Sequence, residues 1–297
     1  MTASLHRSGF LAAAAAYFIW GLFPLYWRLL ASVPHVQLLA HRVAWCAVVV
    51  WLFLLLRREG AWWRAIPART WALLCASAVF ISVNWGVYIL GINTGHVLDT
   101  SLGYFITPLV NVLCGVLLLR ERLNLLQWAA VACATVGVAW MAWQRGALPW
   151  IALVLAFSFA AYGLIRKLTP VDAVHGLAVE SLVLLPPSVA LLVWCEWQGT
   201  GVFLHEAWHL DALMVVGGAI TALPLVLFAY GARRVPMTLL GFLQYLAPTA
   251  GMLIAVFVFH EPFGAVQQVT FGWTWLALAL FSADAVRRYL RQRALAR

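Results

Sequence analysis

Ser101-Leu102-Gly103-Tyr104-Phe105-Ile106-Thr107-Pro108-Leu109-Val110-Asn111 lies within a long apolar run, with Glu121 and Gln127 following it. The pattern returns at an offset of 140, as Pro248, Glu261 and Gln267. Gly91 and Gly231 share that offset, and Trp20-Gly21 maps onto Tyr162-Gly163 at an offset of 142. Each proline sits near the middle of about 23 apolar residues, which at 1.5 Å per residue cover the ~30 Å hydrocarbon of a bilayer. The chain reads as a duplicated, all-α integral membrane protein.

Composition points the same way. Of the 297 residues, 65% are hydrophobic and 10% charged, too little polar surface to solvate a soluble globule. The net charge of +9 is therefore read as a topology signal and not as a nucleic-acid interface. Cys46, Cys75, Cys114, Cys133 and Cys195 all fall inside apolar runs with no CxxC pair, and read as small packing residues.

Windows of about 20 residues predict ten transmembrane helices, at 9–31, 36–56, 71–93, 97–119, 125–143, 150–166, 176–198, 212–232, 237–259 and 266–286. The first run is too long for the apolar core of a signal peptide and is expected to stay as a span. Sixteen of the 19 basic residues fall on one side, including Arg166, Lys167 and the tail from Arg287; Arg28 and Arg145 lie near the other face and Arg42 within a span. Both termini are accordingly expected in the cytoplasm, with the protein multi-pass in a bacterial inner (plasma) membrane.

The repeat unit is about five spans, 1–145 and 146–297. An odd unit repeated in one chain re-enters the membrane upside down, which gives two inverted five-helix repeats. Glu121 is then cytoplasmic and Glu261 external. Two such bundles have two near-equivalent states, open inward and open outward, the basis of alternating access.

The quoted stretch with Glu121-Arg122, together with Ala15-Ala16-Tyr17-Phe18-Ile19-Trp20-Gly21, His41-Arg42-Val43, Leu155-Ala156-Phe157-Ser158-Phe159 and Gly241-Phe242-Leu243-Gln244-Tyr245, resembles the RarD branch of EamA-domain proteins in the drug/metabolite transporter superfamily. The resemblance covers essentially the whole chain. It implies a ten-helix inner-membrane carrier of two inverted five-helix repeats, with metabolite export as the usual activity and a link to chloramphenicol sensitivity in the branch.

Residues near the bilayer centre are the candidate lining of a solute cavity: Trp20, Asn84, Pro108, Asn111, Tyr162, Gln244, Tyr245 and Pro248, joined by Tyr104 of the quoted stretch and by Arg42. A proline there frees a carbonyl one turn back that lipid cannot satisfy, so the interruption should face protein or a wet cavity. Helices four and nine are the expected lining, although a plain packing kink gives the same sequence. Aromatic faces and amides suit an aromatic or amphipathic solute.

Arg42 and Glu180 are the costliest side chains within the spans. Arg42 lies about 9 Å inside the outer end of its helix and Glu180 about 6 Å inside the cytoplasmic end of its own, leaving about 15 Å between them along the membrane normal. They are not expected to pair: Arg42 would draw anionic groups at the outer mouth, and Glu180, as coupling candidate, would exchange protons with the inner vestibule. Snorkelling and local hydrogen bonds are the plainer reading of both.

His205-Glu206-Ala207-Trp208-His209 fits H-E-x-x-H, in which a helix presents two histidines to zinc and a glutamate to water. It sits in an outer loop without an evident third ligand. The leading reading is a secondary active transporter of small organic metabolites or drugs, an exporter with proton coupling as an option; the alternative is a membrane metalloprotease using His205, Glu206 and His209. The leading reading implies no catalytic activity, no cofactor and no metal. Its partners are a small-molecule solute and the lipid bilayer but no nucleic acid, and the protein is a monomer or weak homo-oligomer. No G-x-x-x-x-G-K-[ST] motif points to nucleotide-driven transport within the chain.

Overall fold

The computed structural model describes residues 2–94, 96–145, 150–260 and 262–295; Glu261 and the side chains beyond residue 287 lie outside that description. The regular structure of the described residues is helical: α1 (Thr2–Leu29), α2 (His35–Leu56), a 3-10 turn (Trp62–Ala65), α3 (Ala68–Asn93), α4 (Val97–Leu117), α5 (Leu125–Arg145), α6 (Trp150–Leu168), α7 (Ala173–Trp197), α8 (Trp208–Ala232), α9 (Met237–Gln244), α10 (Leu246–Phe257) and α11 (Ala265–Leu295). Ten segments are long and apolar enough to cross a membrane, α9 and α10 together forming the ninth. They match the ten predicted spans one for one. Helices are the form expected here, because hydrocarbon offers no partner to a backbone N–H or C=O.

Packing runs mainly between the first five spans and the second five. α1 lies on α8 and on α10, and reciprocally α6 lies on α3 and on α4. α2 packs with α7, α4 with α9 and α5 with α11. Exchanging each span for its counterpart five positions along leaves this set of pairs unchanged. The largest apolar cluster, with Tyr17, Tyr162 and Phe228 buried in it, ties α1, α2, α6, α8 and α9 together.

Local geometry recurs too. α4 ends at Leu117 and α10 at Phe257, and the next residues, Leu118 and Val258, donate their N–H groups to the Cys114 and Ile254 carbonyls. Arg120 and His260 then both turn left-handed, each at φ 56°. A left-handed residue is a common way to leave a helix, and is adopted without glycine at a cost of about 1–2 kcal/mol.

The two prolines act differently. α4 runs unbroken through Pro108, whereas the ninth span breaks at Tyr245, three residues before Pro248. The expected interruption of helix four is thus corrected. Pro248 has no N–H for the Gln244 carbonyl, and at the break the Tyr245 N–H bonds Phe242 instead, at 3.2 Å.

Candidate functional site

The two proline helices cross each other. A methyl group at Gly241 of α9 would fall 2.7 Å from the Pro108 carbonyl oxygen, so only glycine permits this approach. Asn111 Nδ2 donates to Gln244 Oε1 at 2.8 Å, and the Tyr245 hydroxyl donates to the Phe105 carbonyl at 3.3 Å. All four of these polar residues and carbonyls bond across the seam between the halves.

At the end of the bundle carrying the α1–α2 turn, Arg42 of α2 is enclosed by aromatic rings. Its guanidinium carbon lies 4.6 Å from the Trp27 ring centroid, 5.1 Å from Trp85 and 5.9 Å from Phe23, and its Nε donates to Thr221 Oγ1 at 3.1 Å. An arginine at mid-membrane costs about 2.5–3.5 kcal/mol on translocon scales. Cation–π contacts contribute roughly 0.5–2 kcal/mol each, so the rings offset most of that without a counter-ion. Tyr88 and Tyr104 meet edge to face at 6.0 Å within electrostatic reach of Arg42, and Tyr104 keeps 44% of its surface accessible.

At the opposite end Glu180 of α7 is buried, with Arg166 of α6 as its partner: Arg166 Nε and Glu180 Oε1 are 3.5 Å apart and both side chains are almost wholly enclosed. Arg166 Nη2 also donates to the Ala173 carbonyl at 3.1 Å, and Ser77 of α3 donates its hydroxyl to Glu180. Tyr162 and the same carboxylate line one small cavity. Gly176, one turn before Glu180, leaves the room this requires, since a methyl group there would lie 1.7 Å from Arg166 Nη1. A small cavity beside Glu180 is lined by Cys46, Trp85, Tyr162 and Leu225 among others.

That same end carries a carboxylate lock. Glu121, just past α4, accepts the Met237 and Thr238 N–H groups at 2.6 and 2.9 Å and the Thr238 hydroxyl at 2.5 Å. It thereby caps α9 from the other half of the chain, where orphan N–H groups and the helix dipole favour negative charge. Lys167 Nζ donates to the Ala232 and Val235 carbonyls at 3.0 and 2.5 Å, and Arg233 Nη1 to the Val171 carbonyl at 2.6 Å. Beside them, Asp172 caps α7 by accepting the Val174 and His175 N–H groups.

Comparison with known proteins sets this geometry in a family. The model of the EamA-like transporter family matches residues 7–143. A protein of Pseudomonas aeruginosa, named an uncharacterized transporter, is 46% identical over 98% of both chains. Protein RarD of Escherichia coli K12 is 40% identical over 96% of this chain and 97% of its own. The chain belongs to the RarD branch of the EamA-domain drug/metabolite transporters. A solved crystal structure shares the fold at TM-score 0.72 and 19% identity, over 94% of this chain and 98% of its own.

In this RarD-type chain the predicted lining residues divide into four groups. Pro108, Asn111, Gln244, Tyr245 and Pro248 gather at the α4–α9 seam. Trp20 and Tyr162 join an aromatic cluster, Tyr162 stacked on Phe228 at 5.7 Å while also lining the cavity beside Glu180, and Trp20 edge-on to Tyr17 and Phe159. Asn84 spends its amide on α6, donating to the Leu155 carbonyl and to Ser158. Arg42 and Tyr104 come together, which gives the aromatic region a fixed charge.

Glu180 does not face a vestibule alone, because Arg166 occupies it. Arg166 closes the predicted span 150–166 and counts there among the charges of the basic side; α6 continues to Leu168 and α7 begins at Ala173, and the Arg166 side chain is buried between them and Glu180. Trp27, Trp85 and Tyr88 escaped notice because only the packing of three helices brings them to Arg42. The H-E-x-x-H stretch is split: His205 pairs with Glu196, and helix α8 starts only at Trp208. Among the described residues no three histidines, cysteines or acids converge to hold a metal.

Proposed function

We infer that this RarD-type protein is a secondary active carrier of small organic metabolites or drugs, and an exporter, working by alternating access between two inverted repeats, residues 1–145 and 146–297. It is a multi-pass protein of the bacterial inner membrane with both termini cytoplasmic, acting as a monomer or weak homo-oligomer. The observation that carries the reading is the α4–α9 seam, where each half contributes a proline and an amide to one crossing. Such a joint between counterpart helices is where a bundle can rock about a central site.

On the positive-inside reading the Glu121 lock lies at the cytoplasmic face and Arg42 in the outer half. Glu121 ties the halves together at that face, so opening toward the cytoplasm would break its bonds to Met237 and Thr238. Proton coupling enters through Glu180, whose protonation would release Arg166 and Ser77 and loosen α7 from α6 and α3.

The test is reconstitution of the purified protein into liposomes and a screen of labelled amino acids, aromatic monocarboxylates such as phenylacetate, and chloramphenicol, with and without a pH gradient. Saturable flux of at least one solute supports the carrier. A protein that folds and inserts but moves none of them counts against it.

A further inference from the structure

The ligand chemistry of the Arg42 box can be read from what is left unsatisfied in it, on the carrier reading given above. Arg42 Nε is used by Thr221, but among the described residues neither Nη1 nor Nη2 finds an acceptor, and no carboxylate pairs with the guanidinium. Glu180, buried toward the opposite end of the bundle, is already held by Arg166. The Tyr26 hydroxyl is spent on the Leu213 carbonyl at 2.7 Å. The Tyr88 and Tyr104 hydroxyls have no hydrogen-bond partner among the described residues, and Tyr104 is accessible.

The box therefore presents donors and no charged acceptor. Two terminal N–H groups of a guanidinium form a planar fork that matches a carboxylate. Around that fork stand the faces of Trp27, Trp85 and Phe23, which favour a flat apolar body. An ammonium group placed here would meet the fixed positive charge of Arg42 and no carboxylate to pair with.

We propose that Arg42, with Tyr88, Tyr104, Trp27 and Trp85, is the recognition site for small monocarboxylate anions carrying a flat apolar group, and that it rejects the corresponding zwitterionic amino acids. Arg42 binds the carboxylate through Nη1 and Nη2, the tyrosine hydroxyls add donors, and the rings take the apolar part. The aromatic cage offsets the cost of a charge at that depth, which leaves the terminal nitrogens of Arg42 for an anion.

The experiment is equilibrium binding of radiolabelled phenylacetate to the full-length chain in nanodiscs, competed by phenylacetamide and by phenylalanine. Charge-assisted bonds predict that phenylacetate binds at least about tenfold tighter than its neutral amide. Phenylalanine should compete no better than the amide. Arg42→Gln should erase the preference for the acid, whereas Arg42→Lys should weaken binding and keep it; the wild-type comparison needs no variant to fold. Equal affinity for acid and amide, binding of neither, or phenylalanine competing as well as phenylacetate overturns the proposal. Flux of neutral chloramphenicol without any acid preference would leave the carrier reading standing, so the two failures are distinct.

Discussion

Arg120 and His260, 140 positions apart, leave their helices at the same left-handed φ of 56°. Around them α4 and α10 end, and α5 and α11 begin, at the same offset. A non-glycine residue held left-handed is uncommon and must be fixed by its surroundings. Its occurrence at both positions gives two stretches of different sequence the same local architecture, which supports reading the chain as a copied module.

The Glu121 lock sets an order of effects. Removing the carboxylate strands two backbone donors, whereas removing the Thr238 hydroxyl loses one bond. Glu121→Ala should cost about 1–2 kcal/mol of stability and Thr238→Val less, measured by thermal unfolding in detergent. Equal losses would contradict the capping role.

The Arg166–Glu180 pair should show strong coupling. Breaking a buried pair by removing one partner costs about 3–5 kcal/mol, while replacing both with apolar residues is often neutral. Arg166→Leu alone should therefore unfold at markedly lower temperature, and adding Glu180→Leu should recover much of the loss. Gly176→Ala should resemble the single Arg166 variant, because the new methyl group displaces the guanidinium.

Glu180 also decides the coupling question. If its protonation drives transport, Glu180→Gln should abolish the pH dependence of uptake into vesicles while binding stays measurable. Unchanged pH dependence in a folded variant would remove the relay role.

Asp172 should contribute an acid-side limit. Burial alone would raise its pKa, but hydrogen bonds from the His175 ring and from the His175 and Val174 N–H groups hold it below the ordinary carboxylate value of 3.8. A carboxyl depressed in the folded state stabilises above its unfolded pKa and loses that stability as pH falls through the folded one. Asp172→Asn should flatten the decline in melting temperature below about pH 4, and an unaltered decline would contradict this assignment.

The spans and the repeat were legible because lipid demands about 20 apolar residues per crossing, and a proline or glutamate among them stands out. The polar partnerships were less so. Arg166 counts in sequence as one more cytoplasmic-side charge, because its partner Glu180 lies on another helix and only the packing of α6 against α7 buries the two together. The cage around Arg42 was hidden because Phe23, Trp27, Trp85 and Tyr88 are ordinary span aromatics until α1, α2 and α3 converge. Pro108 and Pro248 read alike in sequence, yet only the second breaks its helix.

The inverted duplication is tested most directly by single cysteines at Arg120 and His260, introduced after the five native cysteines are replaced, and labelled with a membrane-impermeant maleimide from outside the cell. The account predicts that position 260 labels in intact cells and position 120 only after the membrane is opened. Labelling of both positions from the same side would contradict it.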